Sequence, residues 1–165
     1  MQNSKYFDFL KGKLDQDSFA KLSIFNNPNL IDFVGKYVEL CEPNKVFVSN
    51  DSDKDIQYIR DKAIETKEEM KIGYEGQTIH WDGYNDQARD VQNSKYLLPK
   101  GMDYGKYILS IEKEAGYADV HEIYKGIMKG HDMYVCFFCL GPVNSTFSLS
   151  AVQITDSPYV AHSET

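Results

Sequence analysis

Two of the three cysteines stand three residues apart, a spacing that serves redox chemistry or zinc binding in other proteins. Cys136 and Cys139 enclose two phenylalanines within residues 133–140, a run with the composition of a β-strand. Side chains three apart on a strand project to opposite faces, so the two sulfurs would not meet. No second such pair and no nearby pair of histidines completes a zinc site. We therefore expect Cys136 and Cys139 to be two small buried hydrophobic residues.

Other residues with metal-ligand chemistry lack the pattern that a metal site needs. Asp51, Asp53 and Asp55 alternate as in a calcium loop, but the glycine and the distal glutamate of that loop are out of register. Helix capping explains these acids better. The histidines are scattered along the chain and are expected to be surface or structural residues: His80, His121, His131 and His162. The sequence predicts no metal ligand and no catalytic residue.

Nucleotide-binding and hydrolase motifs are also missing from the sequence. It contains no phosphate loop of the form G-x-x-x-x-G-K-[ST], no G-x-G-x-x-G, no G-x-S-x-G and no H-E-x-x-H. The 18 basic and 25 acidic residues leave a net charge of −7, which argues against binding to nucleic acid. The longest apolar run, residues 133–140, is far too short to span a membrane. Asp8 interrupts any apolar signal segment, so we expect no export and a cytoplasmic protein.

Helix and strand signals alternate along the first half of the chain. Asn29 is expected to cap a helix that Pro43 ends, and residues 45–49 read as a short buried strand. Ser52 and Asp55 resemble a capping box at the start of a second helix. The buried faces of these two helices are predicted to be Leu30, Val34, Tyr37, Val38 and Cys41, and Ile56, Ile59, Ala63 and Ile64.

The second half continues the alternation. Strands are predicted at residues 78–81, 95–98, 133–140 and 149–154, and Pro158 is expected at a sheet edge or a strand start. A third helix is predicted from about residue 119 to residue 128, with Gly130 as its C-terminal cap. Its buried face would carry Val120, Ile123, Tyr124, Ile127 and Met128. The predicted fold is α/β, a mixed β-sheet flanked by helices, and residues 1–165 are expected to form a single domain.

Four short motifs follow one another at close spacing near the end of the chain. They are M-K-G at 128–130, M-Y-V at 133–135, L-G-P at 140–142 and T-D-S-P-Y-V at 155–160. This set resembles the end of the amino-terminal domain of GTP-dependent phosphoenolpyruvate carboxykinases, which carry M-K-G-R-T-M-Y-V, M-G-P and T-D-S-P-Y-V in that order. Upstream, Ala88-Arg89 followed by Ser94-Lys95 is similar to the family loop R-D-V-A-R-x-E-S-K-T with two residues inserted. His131 stands where the family has an arginine.

The resemblance implies a substrate-binding role for Arg89. In the family, the arginine of the A-R pair lies on a mobile loop and grips oxaloacetate or phosphoenolpyruvate. A guanidinium group can form two parallel, charge-assisted hydrogen bonds with a carboxylate or a phosphate. The alternative is an exposed arginine paired with Asp86 or Asp90. The family has an acid two residues after this arginine, whereas this chain has Val91 there.

The resemblance also implies a longer parent enzyme. That enzyme would convert oxaloacetate and GTP into phosphoenolpyruvate, carbon dioxide and GDP, a decarboxylating step of gluconeogenesis. The nucleotide- and metal-binding segments of the family, which hold GTP and Mn²⁺ or Mg²⁺, have no counterpart in this sequence. This chain is therefore expected to bind no cofactor, to be inactive alone, and to supply one wall of the substrate cleft beside the C-terminal catalytic part.

Two other functions remain open from the residues. The chain could be a self-standing module that binds a carboxylate or a phosphate and has lost catalysis. It could also be a protein-interaction domain, because its 12 tyrosines could line an interface. If the domain has been cut from its partner, the surface formerly covered should show an exposed apolar patch, for which Tyr159 is a candidate.

Overall fold

The structure is a computed structural model that describes residues 4–83, 90 and 94–163. The described residues form two compact units, one from Met1–Trp81 and Gly126–Thr165 and the other from Asp82–Lys125. The expectation that residues 1–165 act as one domain of a longer enzyme stays a prediction. No helix within the described ranges is long and apolar enough to cross a membrane.

Six helices and seven strands are assigned within these ranges. They are α1 (Phe7–Lys13), α2 (Gln16–Ser23), α3 (Pro28–Cys41), β1 (Lys45–Val48), α4 (Asp53–Glu65), β2 (Met70–Lys71), β3 (Thr78–Ile79), β4 (Tyr96–Leu98), β5 (Ser110–Glu112), α5 (Lys113–Tyr124), β6 (Asp132–Leu140), β7 (Leu149–Thr155) and α6 (Pro158–Ser163).

The first unit is built on a three-stranded mixed sheet in the order β1-β6-β7. β1 runs parallel to β6 with Val48 opposite Val135, and β7 runs antiparallel to β6 with Leu149 opposite Leu140. Helices pack on both faces of this sheet, so the predicted α/β fold with a mixed sheet is confirmed. The predicted strands at 133–140 and 149–154 are also confirmed. The first is a continuous apolar run that Gly141 and Pro142 end, and the second alternates apolar and polar residues.

The two faces of the sheet carry separate cores, because side chains alternate along each strand. Met133 and Val135 project into a large cluster formed with α1, α2 and α3. Tyr134 and Cys136 project to the other face, into a smaller cluster whose members also come from α4 and α6. The four residues 133–136 of β6 are therefore divided between the two clusters, two on each face of the sheet.

The start of α3 differs from the prediction. Asn27, not Asn29, caps this helix, because its side-chain oxygen accepts hydrogen bonds from the backbone N–H groups of Asn29 (3.0 Å) and Leu30 (3.3 Å). Pro28 occupies the first helical position, where its missing N–H is not needed and its fixed φ suits the helix. The capping residue must therefore precede the proline.

Of three further predictions, one is confirmed and two are wrong. Ser52 caps α4 as predicted, with Ile59 and Ala63 buried. Pro158 opens a helix, α6, and does not lie in a strand. The predicted helix at 119–128 is displaced: α5 ends at Tyr124, and Gly130 lies in a turn with positive φ.

In the second unit, α5 packs on β4 and β5 through a glycine. A Cβ at Gly116 would lie 2.3 Å from Leu97 Cδ2 and 3.2 Å from Ile111 Cγ2, so a larger residue would force the Leu97 side chain to move. A helical glycine costs about 1 kcal/mol relative to alanine, and at this position it allows the close contact. Of the apolar face predicted for this segment, Met128 is buried, but Val120, Ile123, Tyr124 and Ile127 are all exposed.

Candidate functional site

The predicted substrate-binding residue, Arg89, lies outside the residues that the structure describes. Its segment is preceded by β3 and followed by β4. At the downstream side, Ser94 donates to the carbonyl oxygen of Asp90 through its backbone N–H (2.9 Å) and its hydroxyl (2.6 Å). The substrate-binding role of Arg89 and its alternative, pairing with a neighbouring acid, both stay predictions.

The T-D-S-P-Y-V segment joins β7 to α6. Ser157 begins the helix: its hydroxyl oxygen accepts from the Val160 N–H (3.1 Å), and its own N–H donates to Thr155 Oγ1 (3.1 Å). Pro158 and Ala161 are the buried residues of this short helix. The segment thus presents a fixed first helical turn.

The carboxylate of Glu68, three residues after the end of α4, binds this first turn. Glu68 Oε2 accepts a short hydrogen bond from the Ser157 hydroxyl and a second one from the Tyr159 N–H (3.1 Å). Carboxylates are favoured at helix N-termini, where backbone N–H groups lack partners within the helix. Glu68 therefore ties the turn that follows α4 to the T-D-S-P-Y-V segment.

His80, directly after β3, completes the connection. Its Nδ1 lies 2.6 Å from the carbonyl oxygen of Glu68, and because a carbonyl only accepts, we assign the proton to Nδ1. Its ring stacks on Tyr159, with 3.7 Å between ring centroids and 8° between planes. Tyr159 is consequently half-buried under an imidazole and does not form the exposed apolar patch expected where a partner has been removed.

A second acid and histidine pair lies beside the first. Glu69 is only 4% exposed, and its Oε1 lies 2.6 Å from His162 Nε2. The rings of Tyr159 and His162 meet edge to face at 6.0 Å. Glu69 Oε2 is buried, with no hydrogen-bond partner in the described part of the chain. We call these six residues the His80–Tyr159 cluster: Glu68, Glu69, His80, Ser157, Tyr159 and His162.

The described contacts of the His80–Tyr159 cluster hold separate segments of the chain together. Its described hydrogen bonds connect its members to one another and to the backbone of Glu68 and Tyr159, and its rings pack on one another. It joins the T-D-S-P-Y-V segment to the residue that leads into the Arg89 segment. The expectation that the histidines are surface or structural residues stays a prediction. The pairing itself could not be predicted, because the partners are 12 to 93 residues apart and no local spacing connects them.

The aspartate run at the start of α4 contains a residue that stabilises the fold. Asp55 is buried and accepts from Lys21 Nζ (2.9 Å to Oδ1, 2.7 Å to Oδ2) and from the Asn50 N–H (3.0 Å). Burial alone lowers the pKa of Lys21, but the hydrogen bonds of Asp17 and Asp55 outweigh it and raise that pKa. The hydrogen bond from Lys21 lowers the pKa of Asp17. Asp55 is thus part of a buried ion pair as well as of a capped helix start.

The cysteines are free, and the C-x-x-C pair is divided between the two sheet faces. Cys136 is buried, and burial raises the pKa of its thiol to about 11. Cys139 is exposed, so the prediction that both are buried is wrong for this residue, because β6 extends beyond the helices that cover its first half. Within residues 4–83, 90 and 94–163, no three acid, histidine or cysteine side chains are grouped to hold a metal ion.

Comparison with known proteins identifies the family of this α/β chain. The family model for the phosphoenolpyruvate carboxykinase N-terminal domain matches residues 32–165. The chain belongs to this family, which confirms the resemblance carried by the four motifs.

Curated relatives support the same assignment. Proteins named phosphoenolpyruvate carboxykinase [GTP] are 50% identical in Thermococcus sibiricus (95% of this chain), 46% identical in Pyrococcus abyssi (94%) and 42% identical in Saccharolobus solfataricus (95%). The chain spans about a quarter of the length of each: 25%, 25% and 26%. It corresponds to the N-terminal part of GTP-dependent phosphoenolpyruvate carboxykinases.

Proposed function

We propose that this chain is the amino-terminal part of a cytoplasmic enzyme that converts oxaloacetate and GTP into phosphoenolpyruvate, carbon dioxide and GDP. The observation that carries the proposal is the match of nearly the whole chain to one quarter of proteins named phosphoenolpyruvate carboxykinase [GTP]. The remaining three quarters would hold GTP and the divalent metal ion. Among the described residues no three acid, histidine or cysteine side chains are grouped to hold a metal ion, and no step of phosphoryl transfer is assigned to this chain.

Within this enzyme, we assign to Arg89 the binding of the anionic substrate. A guanidinium group positions a carboxylate or a phosphate through two parallel hydrogen bonds and keeps its charge at every physiological pH. The His80–Tyr159 cluster supports this role indirectly, because it holds the residue that leads into the Arg89 segment.

The first test is the genomic sequence that follows residue 165. We expect the reading frame to continue into a segment that contains a phosphate loop with its lysine. A stop codon at that position would contradict the proposal and would favour a self-standing binding module. Titration calorimetry of the 165-residue chain with phosphoenolpyruvate and with oxalate would then measure that alternative directly.

The second test uses the two arginines of the chain in the complete enzyme. We expect Arg89→Lys to lower kcat/KM for oxaloacetate about 10- to 100-fold, because a lysine replaces two charge-assisted hydrogen bonds with one point contact. Arg60→Lys is the matched control. Arg60 donates to the carbonyl oxygen of Gly76 (2.8 Å), away from the Arg89 segment in sequence, and its variant should keep kcat/KM within about twofold. Equal effects of the two variants would remove the assigned role of Arg89.

A further inference from the structure

The central strand of the sheet is much longer than one of its neighbours. β6 contains nine residues, but β1 pairs only with the first four of them, and the last contact is a hydrogen bond from the Ser49 N–H to the Val135 carbonyl oxygen (2.9 Å). The chain then turns into α4, a turn fixed by the bond from the Asn50 N–H to Asp55. Beyond Val135, no other described strand pairs with this edge of β6.

The unpaired edge carries backbone groups that point outward. In a strand, the N–H and C=O groups of alternate residues face the same edge. Because the Val135 carbonyl faces β1, the backbone groups of Phe137 and Cys139 face the position that β1 vacates. Two N–H donors and two carbonyl acceptors are thus arranged for one further strand.

A groove lies beside this edge. It has a volume of about 600 Å³, and its lining includes Phe25, Leu30, Phe137 and Val152, with Asn50 at the end nearest β1. The rings of Phe25 and Phe137 pack at 4.3 Å between centroids. Seven of the eleven lining residues are apolar, and the polar ones are Asn27, Asn50, Asp51 and Ser150. A mainly apolar groove next to unpaired backbone groups is the combination by which proteins bind an extended segment.

Apolar residues continue past the groove to the end of the β6–β7 hairpin. Leu140 is 72% exposed and Phe147 is 88% exposed, and Val143 and Leu149 are exposed as well. Contiguous exposed apolar residues of this size are uncommon on a monomer and mark an interaction surface. An exposed strand edge also pairs readily with other chains unless something covers it.

We propose that the edge of β6 at Phe137 and Cys139 binds an extended segment from the part of the enzyme that lies outside these 165 residues. This segment adds a fourth strand in line with β1, and its alternate side chains enter the groove. The proposal rests on the proposed function. The relatives are about four times as long as this chain, so the missing three quarters is the partner available in every molecule of the enzyme. Its covalent attachment gives it a high effective concentration at this edge.

Hydrogen exchange measured by mass spectrometry tests the proposal. In the 165-residue chain, the amides of Phe137 and Cys139 should exchange rapidly, whereas those of Cys136 and Phe138, which face β7, should be protected. In the complete enzyme, Phe137 and Cys139 should exchange about 100-fold more slowly. The amides of Cys136 and Phe138 are the internal control and should be protected in both proteins.

A matched pair of proline variants locates the partner strand. Cys139→Pro removes a donor from the β6 edge, while Ser150→Pro removes one from the outer edge of β7, directly across the hairpin. Neither change breaks a β6–β7 hydrogen bond, and circular dichroism of each 165-residue variant checks that the fold is kept. In the complete enzyme, Cys139→Pro should return the amide of Phe137 to rapid exchange, and Ser150→Pro should leave it protected.

Three of the other possible results overturn the proposal, and a fourth overturns only the proposed function. Rapid exchange at Phe137 and Cys139 in a complete enzyme that turns over oxaloacetate would refute the added strand and leave the proposed function intact. If the amides of Ser150 and Val152 were protected from exchange and those of Phe137 and Cys139 were not, the partner strand would lie on β7 and not on β6. Protection already present in the 165-residue chain, with a dimer by analytical ultracentrifugation, would identify a second copy as the occupant. If the amides of Phe137 and Cys139 were protected as expected but the complete protein lacked carboxykinase activity, only the proposed function would be refuted.

Discussion

The two halves of β6 have similar composition and opposite environments. Residues 133–136 are buried between helices on both faces, and this half of β6 pairs with β1 up to Val135 and with β7 from Tyr134 onward. Residues 137–140 keep β7 as a neighbour but lose β1, and their exposure rises to 72% at Leu140. The first half holds the first unit together, while the second half offers a surface. An apolar strand therefore stabilises a fold only over the length that its neighbours cover.

The largest expected difference between the halves is in core stability. Met133→Ala should lower the free energy of unfolding by about 3 kcal/mol, because Met133 is fully buried and its loss leaves a cavity. Leu140→Ala should change it by less than about 0.5 kcal/mol, since the side chain is mostly in solvent. Urea unfolding of the 165-residue chain measures both. Similar losses for the two variants would mean that both halves are enclosed to the same extent.

The next largest expected effect is a loss of stability at alkaline pH. The pKa of Cys136 is about 11 in the folded protein, raised by burial from its ordinary value of 9.0. Between these values the unfolded chain releases the thiol proton and the folded chain keeps it. The free energy of unfolding therefore falls as pH rises from 9 to 11, by about 1.4 kcal/mol per pH unit and about 3 kcal/mol in total.

Two variants isolate this thiol from other groups that titrate in the same range. Burial, more than the nearby Tyr58 and Asp132, also raises the pKa of Tyr134, which adds a further loss of stability above pH 10. Cys136→Ala should remove about 1.4 kcal/mol per pH unit from the slope between pH 9 and 11. Cys139→Ala, on the exposed half of β6, serves as the control. An unchanged slope in Cys136→Ala would show that the thiol is accessible to water.

The smallest expected effect is a gain in stability next to the buried half. Gln153 lies opposite Cys136, and its side-chain oxygen is buried with no hydrogen-bond partner among the described residues. Gln153→Met keeps the length of the side chain and removes the unsatisfied oxygen, so it should raise the free energy of unfolding by about 1 kcal/mol. Ser150→Met, on the exposed part of β7, should change it by much less. A loss of stability in Gln153→Met would point to a hydrogen bond that the oxygen makes with water.

The contrast along β6 also explains which elements could be predicted from the sequence. Residues 133–140 form a continuous apolar run and residues 149–154 alternate apolar and polar side chains, so both segments predict strands without tertiary information, and both predictions are confirmed. The helix predicted at 119–128 is displaced, because α5 begins at Lys113, packs on β4 and β5 through Gly116, and ends at Tyr124. Of the buried face assigned to that helix, Met128 alone is buried, and it lies in the turn after α5.

The candidate site likewise combines a residue that the sequence could suggest with residues that it could not. Arg89 could be proposed only because its neighbours resemble a family loop, and its role stays a prediction. The His80–Tyr159 cluster was not predicted, since Glu68 and Glu69 have ordinary surroundings in the sequence and meet Ser157, Tyr159 and His162 only in the folded chain.

The sequence alone determined the alternation of helices and strands, the α/β class and the membership of a carboxykinase family, because these depend on local apolar patterns and short ordered motifs. Only the tertiary structure decided which half of β6 is buried, that Cys136 and Cys139 lie in different environments, and that His80 stacks on Tyr159. The reason is physical: burial and hydrogen bonding between distant residues are set by the strands and helices packed around them, and no spacing within a single segment encodes those neighbours.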